Sequence, residues 1–236
     1  MAIKVKAEYN ELINLFNKLT GKRNMWQVFN DVITMIACSV QSQFSTLKRF
    51  KQVEELYMNT AVGYSKEELL IVCQIFAKIT DMLNENPFRD LLGDLYMQLE
   101  MGNNELGQFF TPYNIAKLVA ESCVDIDKAK GKINERGYIV INEPACGGGA
   151  NVIGLCDVLY NNGINYQQKC IVVCQDLSRL TGLMCYIILS LIGCSAVIKI
   201  GDTLSKPFTT YVDELKTGSE LWTTPMFHAN NCYDKV

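Results

Sequence analysis

At 236 residues the chain is near the upper limit for one hydrophobic core, so one large domain, or a core with a smaller attached domain, is expected. Hydrophobic residues at 49% against 20% charged, with only five prolines, exclude disordered, collagen-like and low-complexity classes. Lys plus Arg against Asp plus Glu is 11 to 13 over residues 1–107 and 11 to 12 over 108–236, so neither half offers the positive face of a protein that grips duplex DNA unaided.

Apolar residues three and four apart predict helices near 8–19, 26–44, 51–58, 66–84 and 88–101. Ser65 with Glu68 reads as a capping box, and Asn86-Pro87 as a second helix start. The glycine- and asparagine-containing stretch that follows breaks the pattern, which sets a boundary near 103, and Thr111-Pro112 opens another helix through about Ser122. From Tyr138 short β-rich runs alternate with helices: strand 138–142, a glycine loop, helix 150–161, strand 170–174, helix 178–192 and strand 196–200. That order predicts a parallel sheet. Asp176 and Asp202 then lie just past the carboxyl ends of the second and third strands, the edge where open parallel sheets bind ligands.

The ten cysteines contain no C-x-x-C pair and His228 is the only histidine, so no metal site is expected. Most of these thiols lie within apolar runs, and Met1-Ala-Ile-Lys-Val-Lys6 has no apolar signal region, which points to the reducing cytoplasm. Leu183 to Cys194, the longest apolar stretch, is shorter than the ~20 residues of a membrane span. Basic groups at Lys18, Lys22 and Arg23, at Lys48, Arg49 and Lys51, and at Lys128, Lys130, Lys132 and Arg136 read as solvated faces balanced by acids.

Asn142-Glu-Pro-Ala-Cys-Gly-Gly-Gly-Ala150 follows a buried strand and precedes a helix, which suits close backbone approach to a ligand and a negative group at the helix start. An acid at the end of the next strand, Asp176, can accept from ribose hydroxyls, and Asp202 from an adenine amine. Val152 stands where G-x-G-x-x-G requires its third glycine, and no Lys-Ser or Lys-Thr follows the loop, so neither a nicotinamide dinucleotide nor a Walker phosphate site fits. Cys146 is a poor candidate nucleophile, because no second histidine stands ready to activate it.

These residues resemble the amino-group DNA methyltransferases that modify adenine at N6, especially the modification subunits of type I restriction systems. Gly107-Gln-Phe-Phe-Thr-Pro112 is similar to that family's motif preceding the core, which implies cofactor contacts from Phe110, Thr111 and Pro112. Glu143-Pro-Ala-Cys-Gly-Gly-Gly149 resembles its D/E-P-A-C-G-S-G loop, with Gly148 in place of the serine. The resemblance implies that S-adenosylmethionine is held by Glu143, Pro144, Ala145, Gly147 and Gly149, by Asp176 and Leu177, and by Asp202 and Thr203. Leu92-Gly-Asp-Leu-Tyr96 resembles the helix leading into the family's first motif. The implied fold is α/β: a partial Rossmann-like methyltransferase core over residues 103–236, preceded by an α-helical N-terminal domain over 1–102.

The family's catalytic motif, N/D-P-P-Y/F, holds the target amine and stacks on a flipped base. It is not present as such. About 20 residues past Asp202, Leu221-Trp-Thr-Thr-Pro-Met-Phe227 aligns with it: Thr224 replaces the Asn, Pro225 is kept, Met226 replaces the second Pro and Phe227 keeps the ring. Thr224, Pro225 and Phe227 are therefore the candidate catalytic residues; the alternative is a strand end packed on the core. Nine residues follow Phe227, so another chain is expected to cover the open sheet edge: a second copy, a specificity subunit or the other half of a split enzyme. DNA contact is expected through such a partner. The implied activity is methyl transfer to adenine N6 in DNA, as a restriction-modification-type methylase or part of one. The alternative is a catalytically inactive cofactor-binding module that pairs with a methyltransferase or restriction complex.

Overall fold

Contacts divide the chain into two units, Met1–Pro87 with Leu91–Phe110, and Phe88–Asp90 with Thr111–Val236. The computed structural model describes residues 7–44, 47–99 and 110–236. The first unit holds a short 3-10 turn (Ala7–Tyr9) and helices α1 (Asn10–Leu19), α2 (Met25–Ser42), α3 (Leu47–Ala61), α4 (Lys66–Glu85) and α5 (Leu91–Gln98). Phe16 stacks on Phe29 at 5.5 Å between ring centroids, and Phe29 meets Tyr96 edge-on at 5.7 Å, so α1, α2 and α5 share one apolar core. The Ser65–Glu68 capping box forms at the start of α4 as its spacing requires. Asn86-Pro87 does not begin a helix. Asn86 instead closes α4, its N–H donating to Met82 O, and α5 starts only at Leu91.

The second unit runs α6 (Tyr113–Cys123), α7 (Ile126–Arg136), β1 (Ile139–Glu143), α8 (Ala150–Asn161), α9 (Tyr166–Lys169), β2 (Cys170–Asp176), α10 (Arg179–Leu191), β3 (Ser195–Ile200), α11 (Tyr211–Thr217), β4 (Glu220–Thr223) and α12 (Pro225–Ala229). The sheet order is β1-β2-β3-β4. β2 is apolar on both faces, and α10 is buried from Leu180 to Leu189, the pattern of a strand and helix enclosed within an α/β layer. α6 lies on α8 because Gly154 has no side chain: a Cβ there would sit 3.1 Å from the backbone of Ala116 and Lys117. Asp157 of α8 fixes this crossing by accepting from Tyr113 Oη at 2.6 Å and pairing with Lys117 Nζ at 2.7 Å. Burial alone would raise the Asp157 carboxyl, but the bonds from Lys117 and Tyr113 outweigh it and hold it below its ordinary value.

β1, β2 and β3 are parallel, whereas β4 is antiparallel to β3, with Ile200 opposite Glu220 and Val197 opposite Thr223. The direction follows from what precedes β4. Residues 201–219 stay at the carboxyl rim of the parallel strands, because Gln175 donates to Gly201 O and Lys206 O and accepts from Phe208 N–H. Lys199 of β3 also forms a buried 2.8 Å ion pair with Glu214 of α11. The chain therefore re-enters the sheet from that same rim and can only run back along β3.

Candidate functional site

The carboxyl rim of β1, β2 and β3 is tied together by a small set of hydrogen bonds. Asp176, the last residue of β2, accepts from Gly147 N–H through Oδ2 at 2.8 Å. Its Oδ1 accepts from Ser178 N–H at 2.8 Å and from Thr181 Oγ1 at 2.9 Å. One carboxylate thus holds the glycine loop and the first turn of α10 together. Cys146 N–H donates to Gln175 O, Gly201 N–H to Asp176 O, and Thr203 Oγ1 to Pro144 O at 2.6 Å. The loops after all three strands therefore meet.

Within the glycine loop, Gly149 has φ +98°, and a Cβ there would lie 3.2 Å from Cys185 Sγ, so both conformation and space call for glycine. It caps α8, whose first-turn N–H groups are at the rim. Glu143 accepts from Ala145 N–H and from Asn151 Nδ2, each at 3.2 Å. Asp202 is exposed and accepts from Leu204 N–H, and bonds from Ser205 and Leu204 lower its carboxyl. Leu177 and Leu204, 75% and 96% exposed, flank these acids.

The rim thus gathers Glu143, Pro144, Ala145, Gly147, Gly149, Asp176, Leu177, Asp202 and Thr203. Pro112 is the N-cap of α6 and is exposed, as is Thr111. Phe110 falls in the other unit, edge-on to Tyr96 at 5.1 Å. Gly107, Gln108 and Phe109 lie outside the described residues. The sequence reading missed Gln175, Ser178 and Thr181, which position the rim. Ser178 and Thr181 carry a weak signal as a polar pair at a helix start, whereas Gln175 carries only its polarity within a buried strand.

The sequence profile of the N-6 DNA methylase family matches residues 88–232. The chain belongs to that family. No curated protein and no solved structure gives a match. The matched region of this N-6 DNA methylase family member contains the whole rim, and the family's chemistry is methyl transfer to DNA.

Thr224, Pro225 and Phe227 are not at that rim. Because β4 runs backwards, Thr224 lies beside the beginning of β3, where its N–H donates to Ala196 O, its Oγ1 donates to Cys194 O at 2.6 Å and the same oxygen accepts from Ala196 N–H at 2.9 Å. From Ala196 to Ile200 the strand covers about 13 Å. Thr224 is fully buried, Pro225 opens α12, and Phe227 packs on Ile171, Val173, Val197 and Leu221. Thr224 and Phe227 are thus buried in the core and Pro225 is partly exposed, so the structure does not bring these three to the rim that gathers the other candidates. His228 is half-buried between Thr223 Oγ1 and Tyr233 Oη, each at 2.8 Å, and burial lowers its pKa.

Among the described residues, one group of side chains could supply several metal-type ligands: the buried sulfurs of Cys146, Cys174 and Cys185, within 4.8 Å of one another. No described helix is long and apolar enough to cross a membrane.

Proposed function

We propose that residues 103–236 form a Rossmann-like core that holds S-adenosylmethionine at the carboxyl rim of β1, β2 and β3, in the service of adenine-N6 methylation of DNA. The observation that carries this is the convergence of Asp176, the glycine loop and the Asp202 turn on one rim. The residues suit the cofactor: carboxylate acceptors for ribose hydroxyls and an exocyclic amine, exposed leucines for a purine face, and positive-φ glycines beside a helix N-terminus. When bound, S-adenosylmethionine supplies an activated methyl group on a sulfonium. Glu143, Gly147 and Gly149 would orient its methionine part, Asp176 its ribose and Asp202 its adenine.

In this reading the group that holds the target adenine comes from another chain, since Thr224 is buried at the opposite rim. β1 pairs only with β2 among the described residues, so its outer edge is open to a second copy or a heteromeric partner that also brings DNA. We infer a restriction-modification setting from the resemblance and a reducing, cytoplasmic location from the free buried thiols. The buried Thr224 also favours a second reading, a cofactor-binding module without transfer activity of its own. Calorimetric titration with S-adenosylmethionine, using Asp176→Ala as control, tests the site: micromolar binding lost in the variant is expected, and no binding at millimolar cofactor ends the proposal. Tritiated methyl transfer to unmethylated DNA, with and without the co-purified partner, separates the two readings.

A further inference from the structure

Cys146, Cys174 and Cys185 come from the three elements that build the rim: the glycine loop, β2 and α10. All three are buried free thiols whose sulfurs lie within 4.8 Å of one another, with 4.0 Å between Cys185 and Cys174. Cys146 and Cys185 are directly coupled to the loop. Cys146 N–H donates to Gln175 O, and its neighbour Gly147 donates to Asp176. Cys185 Sγ lies 3.2 Å from where a Cβ on Gly149 would stand.

We propose that these three cysteines form a peroxide-sensitive thiol site in which Cys146 becomes disulfide-linked to Cys174 or Cys185, and that the link distorts the glycine loop at the proposed cofactor site. The consequence rests on the proposed cofactor site; the thiol chemistry does not. The nucleophile is Cys146. Hydrogen bonds from Cys174, then Cys185, outweigh burial and the nearby carboxylates of Asp176 and Glu143, and pull its thiol down to about 6. Cys174 and Cys185 are both pushed up, in each case first by their bond with Cys146 and also by burial, so they remain protonated partners.

The Cys146 thiolate attacks one oxygen of hydrogen peroxide; the O–O bond breaks and the leaving hydroxide departs as water after taking a proton. The resulting sulfenic acid is attacked by the sulfur of Cys174 or Cys185; the S–O bond breaks and a second water leaves with that thiol's proton. Two thiols and one hydrogen peroxide give one disulfide and two waters. A disulfide needs its sulfurs about 2 Å apart, so the reaction draws the Cys146 backbone inward and strains the Gly147–Asp176 bond beside it. A metal fits less well, because three thiolates around a soft cation would bury net negative charge with no fourth ligand among the described residues.

Cys156 and Cys194 provide an internal comparison: their sulfurs are 3.9 Å apart, but Cys156 is pushed well above its ordinary value, first by its bond with Cys194 and then by burial. The test treats reduced full chain with a slight excess of hydrogen peroxide, blocks free thiols with N-ethylmaleimide and maps crosslinks by mass spectrometry without reduction. A Cys146–Cys174 or Cys146–Cys185 link is expected, forming faster as pH rises through about 6, absent in Cys146→Ser, with Cys156 and Cys194 left reduced. Hydrogen exchange over residues 143–149 should change on oxidation, and S-adenosylmethionine affinity should fall at least tenfold and return with dithiothreitol. If Cys146→Ser does not fold, the Cys174→Ala and Cys185→Ala variants replace it: the link should move to the remaining partner and vanish in the double variant. Oxidation confined to the exposed Cys73 and Cys123, crosslinking that survives Cys146→Ser, a tightly held metal, or an oxidised chain with unchanged loop exchange would each overturn the proposal. Should the reduced chain bind no S-adenosylmethionine, the cofactor reading falls, while crosslink mapping and loop exchange still decide this one.

Discussion

Asp176 and Gln175 are adjacent residues that serve the rim in different ways. Asp176 accepts three hydrogen bonds, and an amide in its place must turn an N–H toward either Gly147 or the start of α10, both of which present donors. Asp176→Asn is therefore expected to cost about 2 kcal/mol, read from the urea midpoint, and to weaken S-adenosylmethionine at least tenfold by titration. Parent-like affinity would remove the carboxylate from the site. Gln175 never needs to touch a ligand; its buried amide fastens residues 201–208. Gln175→Leu keeps the size but strands Gly201 O, Lys206 O and Phe208 N–H, so a loss of about 2 kcal/mol is expected, with faster hydrogen exchange at the Phe208 amide. Unchanged exchange there would mean that the turn holds itself.

At the scale of elements, the strands that read clearly in the sequence are those enclosed by helices. Ile171-Val-Val-Cys174 and Ala196-Val-Ile198 are continuous apolar runs ending near an acid, and the glycine loop between a strand and a helix has few other uses. β4 could not be read in that way. Its four residues carry no period, and its direction is set by contacts of Lys199 and Gln175 with a segment that looks like plain loop. α7 escaped notice because charged residues dominate it and only Ala129 is buried. The separation of Thr224 from the glycine-loop rim follows from the strand, since a backward β4 carries it to the other end of β3. Thr224→Val tests that directly. It removes the hydroxyl that bonds Cys194 O and Ala196 N–H, so stability should fall by about 2 kcal/mol in thermal unfolding while S-adenosylmethionine binding stays as in the parent. A variant of full stability that loses methyl transfer would return Thr224 to the active site.

For the whole molecule, net charge is small and nearly balanced along the chain, so its pH response should come from individual buried groups rather than from general repulsion. The ion pair of Lys199 and Glu214 is the clearest such group, with side chains 6% and 4% exposed and 2.8 Å apart. Burial alone would raise Glu214, but bonds from Lys199, Ser219 and Thr209 overcome it and place its folded pKa below the ordinary carboxylate value. A depressed folded value means that the unfolded chain binds the proton more readily. The stabilisation is therefore complete above the unfolded value, about 4.3, and is lost as pH falls through it toward the folded one. Glu214→Gln removes the titration and leaves the Lys199 ammonium buried without its counter-charge, a change expected to cost about 3 kcal/mol at pH 7. Urea midpoints measured between pH 7 and pH 3 should show a shallower fall below pH 5 for the variant than for the parent. Parallel curves would locate the acid sensitivity elsewhere, with Asp157 and its pairing to Lys117 the next group to substitute.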